Sequence, residues 1–198
     1  YNFIILALRD LPLQLCPLDD NETTSKPLHS YEVMDPTNEM FQTPYSLTFN
    51  GEDHFLAGFG RNKVSLYNLT RSQPIVSAQS TKQQCGKSIQ KTVVSCFDQQ
   101  ADQSTISTTH RLFGTYKNEL YSIDLRSLRA CLLYRTQSGR GFTQILKSSN
   151  GHYVYIVKRG SFTIDVLDTR QSYKKVNELK LPYKISHQKM KACVTDTG

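Results

Sequence analysis

Residues 64–68 read Val-Ser-Leu-Tyr-Asn, residues 120–124 Leu-Tyr-Ser-Ile-Asp, and residues 162–168 Phe-Thr-Ile-Asp-Val-Leu-Asp. Each run is rich in β-branched and aromatic residues, and each closes on an apolar or aromatic residue followed by Asn or Asp. The flanks of the first run predict a complete four-stranded unit. Residues 46–49 (Ser-Leu-Thr-Phe) read as a first strand, followed by a tight turn at Asn50-Gly51-Glu52-Asp53, where Asn-Gly supplies positive φ. Residues 54–59 make the second strand, Gly60-Arg61-Asn62-Lys63 a turn, residues 64–69 the third strand and residues 74–77 an outer fourth. Pro74 suits an edge strand, which can spare a ladder donor.

The pattern recurs. Residues 92–97, 111–116, 120–125 and 130–134 form a second set, with a Gln/Ser/Thr-rich loop at residues 98–110. Residues 142–147, 152–158, 162–167 and 176–181 form a third. First strands are expected near residues 46, 92, 142 and 189, a spacing that suits a repeated antiparallel blade. A thin four-stranded sheet cannot bury both faces alone, so it must stack on copies of itself, and the predicted fold is an all-β propeller. The Asn68, Asp124 and Asp168 positions are where a WD40 blade carries the Asp of its Trp-Asp pair, and they read as structural positions that satisfy turn amides.

Residues 3–8 read as a second strand and residues 12–16 as a third, making 1–34 a partial blade. Blades are expected at 44–80, 92–135 and 142–182, and the first strand of a further one at 188–198. That is about four blades of a ring that usually holds roughly seven. A four-bladed ring closed by the last strand is the alternative. No stretch shows a sustained 3.6-residue apolar period.

The chain has 198 residues, enough for one domain with a sizeable core, and a net charge of +7. The charge is uneven. Residues 1–99 hold 8 Lys/Arg against 10 Asp/Glu, while residues 100–198 hold 16 against 7. Such basicity favours polyanionic partners. The five cysteines (Cys16, Cys85, Cys96, Cys131, Cys193) are odd in number and lack C-x-x-C or zinc-type spacing. Cys96 and Cys193 fall in apolar strand patterns as small core residues, which suits a reducing compartment. No apolar run approaches the roughly 20 residues of a membrane span. The apolar start lacks a basic leader and reads as a strand.

Catalytic signatures are absent: no Gly-rich phosphate loop, G-x-S-x-G elbow, H-E-x-x-H or kinase motif. Gly139-Arg140-Gly141 reads as a blade-to-blade turn. His29, His54, His110, His152 and His187 are dispersed, and no catalytic residue, metal or cofactor is expected. Binding is the better class, because propeller loops carry function on the two faces of a disc. Arg61, Lys63, Lys117, Lys158 and Arg159 occupy equivalent turns between second and third strands, so they are expected to form an arc. Tyr116 and Tyr155 are expected nearby. Cations for the backbone and flat groups for splayed bases are what single-stranded RNA requires. Lys174, Lys175 and Lys191 belong to a second basic run.

A family resemblance joins these motifs. Arg9-Asp10-Leu11-Pro12, Ser46-Leu47-Thr48-Phe49, Gly58-Phe59-Gly60-Arg61, Leu167-Asp168-Thr169-Arg170 and Gln188-Lys189-Met190-Lys191 occur in order. Together they resemble the WD40-repeat telomerase Cajal body proteins and, more closely, their fungal splicing-associated branch. The chain departs from that family in having no Trp and in its loops at 78–91 and 98–110. The resemblance implies a nuclear, non-catalytic scaffold associated with small nuclear ribonucleoproteins in pre-mRNA splicing. It also leaves open binding to telomerase or small Cajal body RNA, with Arg61 matching the family's turn arginine. A protein–protein adaptor without RNA contact is the further alternative.

Overall fold

The computed structural model describes residues 3–18, 26–34, 40–79, 91–99, 109–127, 129–185 and 191–195. Its strands are β1 (Phe3–Leu6), β2 (Leu13–Pro17), β3 (His29–Tyr31), β4 (Ser46–Phe49), β5 (His54–Gly58), β6 (Lys63–Asn68) and β7 (Val76–Gln79). They continue as β8 (Val94–Gln99), β9 (His110–Thr115), β10 (Glu119–Asp124), β11 (Arg129–Arg135), β12 (Phe142–Lys147), β13 (Tyr153–Lys158), β14 (Thr163–Asp168) and β15 (Lys174–Lys180). Among the described residues the only helical turns are short 3-10 segments at Gly60–Asn62 and Thr169–Gln171.

Successive strands pair antiparallel into sheets β1-β2-β3 and β4-β5-β6-β7, and an eight-stranded sheet ordered β11-β10-β9-β8-β12-β13-β14-β15. The last is two blades joined through their inner strands, because β8 and β12 pair in parallel at Asp98–Ile145 and Gln99–Leu146. Hydroxyl groups tie the inner strands in sequence. Ser46 of β4 donates to the Val94 carbonyl at 2.9 Å, and Ser95 of β8 donates to the Phe142 carbonyl at 2.6 Å. The chain is therefore a partial β-propeller of about four blades.

Strand alternation makes this possible, since each blade offers one row of apolar side chains to each neighbour. Leu13, Leu15, Tyr31 and Val33 pack on Phe55, Phe59 and Tyr67. Leu56, Val64 and Ala78, from the other side of that blade, pack on Val94, Phe113, Tyr121 and Ile123. Leu112 and Leu120 then meet Ile145, Val154, Ile156 and Leu167. Phe55 stacks on Tyr67 and Phe113 on Tyr121, each pair with ring centroids 4.9 Å apart, so the same aromatic step recurs in adjacent blades. Each fully buried side chain of this kind contributes about 1.5–3 kcal/mol. The residues before the Asn/Asp positions (Tyr67, Ile123 and Leu167) are all buried, filling with other apolar groups the place of the Trp this chain lacks.

β1 and β2 pair antiparallel about a turn in which Asp10 is left-handed (φ 60°), as Asn62 and Asn118 are in the second-to-third-strand turns of later blades, and β3 lies beyond β2. The Tyr31 hydroxyl donates to the Leu69 carbonyl at 2.9 Å and the Glu32 amide to the Ser72 carbonyl at 2.9 Å, tying this sheet to the next blade. Three expectations change.

The loop expected at residues 98–110 begins later, because Asp98 and Gln99 belong to β8 and His110 to β9. Residues 100–108 lie outside the described set. Residues 191–194, expected within an inner strand, carry none. Instead the Gln144 side chain accepts from the Ala192 amide at 2.8 Å and donates to its carbonyl at 2.7 Å, so an amide side chain replaces the ladder. Residues 188–190 and 196–198 also fall outside the described set. Cys16 and Cys96 are buried, whereas Cys193 is exposed and is not a core residue; Cys85 is outside the described residues.

Candidate nucleic-acid interface

Chain direction gives the disc two unlike faces. One, here the cap face, carries the loops from first to second and from third to fourth strands. The other, the turn face, carries the second-to-third-strand turns and the connections between blades.

On the cap face the Asn/Asp positions close their own loops. Asn68 accepts from the Thr70 amide and hydroxyl at 2.8 and 2.6 Å. Asp124 accepts from the Arg126 amide at 2.9 Å and the Ser127 hydroxyl at 2.7 Å. Asp168 accepts from the Arg170 amide at 2.9 Å and from its guanidinium at 3.0 and 2.8 Å. These are side-chain-capped turns. Hydrogen bonds from the Arg170 side chain hold the Asp168 carboxyl below its usual range, and those from Ser127 do the same for Asp124.

Beneath this face lies a buried charge cluster that the sequence placed in a loop. Asp98 accepts from the Arg111 Nε at 2.8 Å and the Leu112 amide at 3.2 Å, and pairs with Lys147. Arg111 also donates to Asn50 Oδ1 at 3.2 Å and to the Phe49 carbonyl at 3.3 Å. Both charged side chains are essentially excluded from water, so three blades share one ion-pair network. Beside it, a cleft of about 190 Å³ runs along the inner strands, lined by Ser46, Thr48, Cys96, Gln99, Gln144 and Lys191 among others.

The turn face is built by a repeated asparagine. Asn62 and Asn118 are both buried and both left-handed, with φ of 57°. Asn62 Oδ1 accepts from the Thr92 amide at 3.0 Å, and Asn118 Oδ1 from the Gly141 amide at 2.6 Å. Each staples a second-to-third-strand turn to the connection entering the next blade. Asn is the side chain that tolerates this backbone best after Gly. Repetition of Arg61-Asn62-Lys63 as Lys117-Asn118-Glu119 was the available signal. Gly141 (φ 106°) lies here because a Cβ would meet the Tyr116 Cα at 2.9 Å, so Gly139-Arg140-Gly141 is a blade-to-blade turn, as expected.

Of the expected arc, Arg61 and Lys117 are exposed at successive turns, and Lys63 is half-buried with its ammonium 5.4 Å over the Phe59 ring. Arg159 lies 4.9 Å over the Tyr116 ring and donates to its hydroxyl at 2.8 Å. Lys158 does not belong to the arc. It is fully buried, donating to Asp165 at 2.7 Å and to the Ser138 hydroxyl at 2.8 Å. Lys158 ends β13 pointing inward, whereas Arg159, the first residue of the turn, is half-buried against the Tyr116 ring. Asp165 also pairs with Lys175 at 2.8 Å and accepts from Tyr134 at 3.1 Å, and burial together with this charge pushes the Tyr134 hydroxyl up to about 12. Tyr155 is likewise off the arc, midway along β13 on the flat of the last blade.

Residues that sequence reasoning missed enlarge the basic surface. The described segments of the turn face carry Lys91, Arg135, Arg140, Lys180 and Lys184 besides the arc. Two acids lie close to them: Glu119, which is buried and bound by Arg135 and by the Tyr121 hydroxyl, and Glu178, which is exposed two residues before Lys180 and paired with Lys175. Exposed rings are interleaved: Tyr45, Phe162 and Tyr183 are each more than half exposed. Their signal was register, since each sits in a turn or connection of this face. The cap face instead mixes Glu52, Asp53, Asp124 and Asp168 with Arg71, Arg126, Arg129, Arg170 and Lys174. Among the described residues no group of three His, Cys, Asp or Glu side chains is arranged to hold a metal ion. None of the helices among them is long and apolar enough to cross a membrane.

No family model matches the chain. It is 42% identical to Protein SWT21 of Zygosaccharomyces rouxii over 198 residues, covering all of this chain and 47% of that protein. Identity is 41% over 197 residues to Protein SWT21 of Kluyveromyces lactis, covering 97% of this chain and 47% of that protein. For Protein SWT21 of Saccharomyces cerevisiae it is 34% over 190 residues, covering 95% and 52%. Among solved structures, the β-propeller domain of Myceliophteria thermophila Cps50 (Swd1) superposes with a TM-score of 0.66 over 91% of this chain and 57% of that one. At 14% sequence identity, that likeness concerns the fold alone. The chain is a β-propeller segment similar to the yeast proteins named SWT21, and it spans about half the length of those relatives.

Proposed function

We propose that this propeller is a non-catalytic nuclear scaffold that associates with small nuclear ribonucleoproteins in pre-mRNA splicing, touching RNA through its turn face. The propeller fold supports a scaffold that works through its surface. The observation that carries the RNA reading is the sign of the turn face: Arg61, Lys63, Lys117, Arg140 and Arg159 share it, and its exposed cations outnumber the exposed acids near it. A phosphate backbone is the polyanion such a surface fits, and exposed rings among the cations suit unpaired bases. The splicing assignment rests on the resemblance to the fungal splicing-associated WD40 proteins.

The test is binding of a fluorescent single-stranded RNA by the protein across a salt series, with the Lys117→Glu/Arg140→Glu double variant alongside. Each lost phosphate contact lowers the slope of log affinity against log salt by about 1, so the double variant drops it by about 2. An unchanged slope removes the turn face from RNA binding. Ultraviolet crosslinking in cells that recovers proteins but no RNA replaces this reading with the adaptor.

A further inference from the structure

Three Ser or Thr hydroxyls stand three residues after a basic side chain: Ser138 after Arg135, Thr143 after Arg140 and Ser161 after Lys158. A cation at such a spacing is the kind of charge pattern by which basic-directed serine/threonine kinases choose their substrates. Residue order alone favours Ser161, which follows Arg159 as well. The fold separates the three. Thr143 lies within β12, 3% exposed, and its hydroxyl donates to the Val157 carbonyl at 3.1 Å. Ser161 is 7% exposed, and its hydroxyl donates to the Thr163 carbonyl at 3.1 Å and accepts from the Thr163 amide at 3.0 Å. Ser138 is exposed, in the turn-face connection between β11 and β12.

A buried cation already points at this hydroxyl. Ser138 Oγ accepts from the Lys158 ammonium at 2.8 Å, and that side chain is fully excluded from water. Asp165 fixes the same ammonium at 2.7 Å, so Lys158 is held in place at the foot of Ser138. Of the three donors an ammonium carries, these bonds use two. Arg135 and Arg140, on either side of Ser138, are both exposed. A Cβ on Gly139 would meet the Lys158 Cβ at 3.0 Å, so the connection lies flat against the end of β13, next to the turn that carries Arg159. A fixed ammonium flanked by guanidinium groups is the arrangement that holds a phosphate, which brings three acceptor oxygens.

We infer that Ser138 is a phosphorylation site for a basic-directed serine/threonine kinase, and that its phosphate, held by Lys158 and Arg140, cancels the basic field of the turn face beside Arg159. The site stands on the accessibility of Ser138 and its bond to Lys158, whereas the switch rests on the RNA reading above. In the transfer, Ser138 Oγ bonds to the γ-phosphorus of a nucleoside triphosphate and the bond from that phosphorus to the β,γ-bridging oxygen breaks. The diphosphate leaves, and the hydroxyl proton passes to the catalytic carboxylate of the kinase. The added charge of about −2 at neutral pH repels the RNA backbone that Arg135, Arg140 and Arg159 attract.

The experiment treats the folded protein with the catalytic subunit of protein kinase A and adenosine triphosphate, and maps the modified residue by mass spectrometry. One phosphoryl group is expected at Ser138, lost in Ser138→Ala and regained in Ser138→Thr, with thermal unfolding showing that both variants keep the fold. Modification of Thr143 or Ser161 in place of Ser138, or of none of them, overturns the site. Phosphorus-31 titration reads the pairing: beside Lys158 and Arg140 the phosphate loses its second proton below the ordinary value of about 6, and a value of about 6 overturns the contact. Binding of a fluorescent single-stranded RNA across a salt series then reads the switch. The modified protein is expected to lose about 2 from the slope of log affinity against log salt. An unchanged slope overturns the switch and leaves the RNA reading standing. An unmodified protein that binds no RNA removes that reading and the switch together, while the phosphorylation site is decided by its own mapping.

Discussion

The cap face and the turn face contain similar residue types and use their charges in opposite ways. On the cap face, carboxylates and amides are consumed locally: Asn68, Asp124 and Asp168 each close their own loop, and Asp98 binds Arg111 and Lys147 beneath it. On the turn face the structural work is done by neutral groups, Asn62 and Asn118, so its exposed cations outnumber the exposed acids near it. The difference teaches where function can sit. A face whose charges are neutralised within the fold has little field left for a partner, while a face with one sign of charge projects it.

Three perturbations break or sharpen that contrast. The largest effect is expected from Asp98→Ala, which leaves Arg111 buried without its partner. Losing one member of a buried pair costs about 3–5 kcal/mol, so the urea midpoint should fall sharply. A midpoint within error of the unaltered protein would show that the cap-face cluster does not hold the blades together.

A second comparison uses two basic neighbours. Lys158→Met removes charge-assisted hydrogen bonds to Asp165 and Ser138 and should destabilise by about 1.5–3 kcal/mol with the salt slope of RNA binding unchanged. Arg159→Ala should lower the salt slope by about 1 and, through the lost Tyr116 contact, destabilise by only about 0.5–1 kcal/mol. If both variants lose binding and stability together, the two faces of the turn are not separable.

The smallest effect concerns Asp168. Its carboxyl titrates below its ordinary value of 3.8 because the Arg170 side chain bonds the charged form. The unfolded chain therefore takes up the proton first. The stabilisation is complete above the ordinary value and disappears as pH falls through the depressed one. Asp168→Asn should be less stable than the unaltered protein at neutral pH, and the gap in urea midpoints should close on acidification below 3.8. A gap that is constant with pH would mean that the charge of Asp168 contributes nothing to its turn.

Much of this was legible in residue order. The alternation of Val64-Ser65-Leu66-Tyr67-Asn68 marks a strand with one buried row and a capped end, and β6 spans Lys63–Asn68 as that pattern requires. Arg61 and Lys117 were also readable, because equivalent turns of equivalent blades face the same way. The bonds from Tyr31 and Glu32 to the next blade were not readable, because they cross 38 and 40 residues. Lys158 was misplaced because Lys158-Arg159 looks like a single basic pair until the strand's last residue is known.

By itself, then, the order of amino acids determined that this chain makes antiparallel four-stranded units of about 48 residues and stacks them, since period-two patterning and Asn/Asp-ended strands are local properties. Tertiary structure alone decided which charges face water. Lys158 and Asp98 are as polar as any residue here, and only the packing of one blade on the next removes them from solvent and leaves Arg61, Lys117 and Arg140 outside. Charge is written in the sequence, but exposure is a property of neighbours brought together from far along the chain.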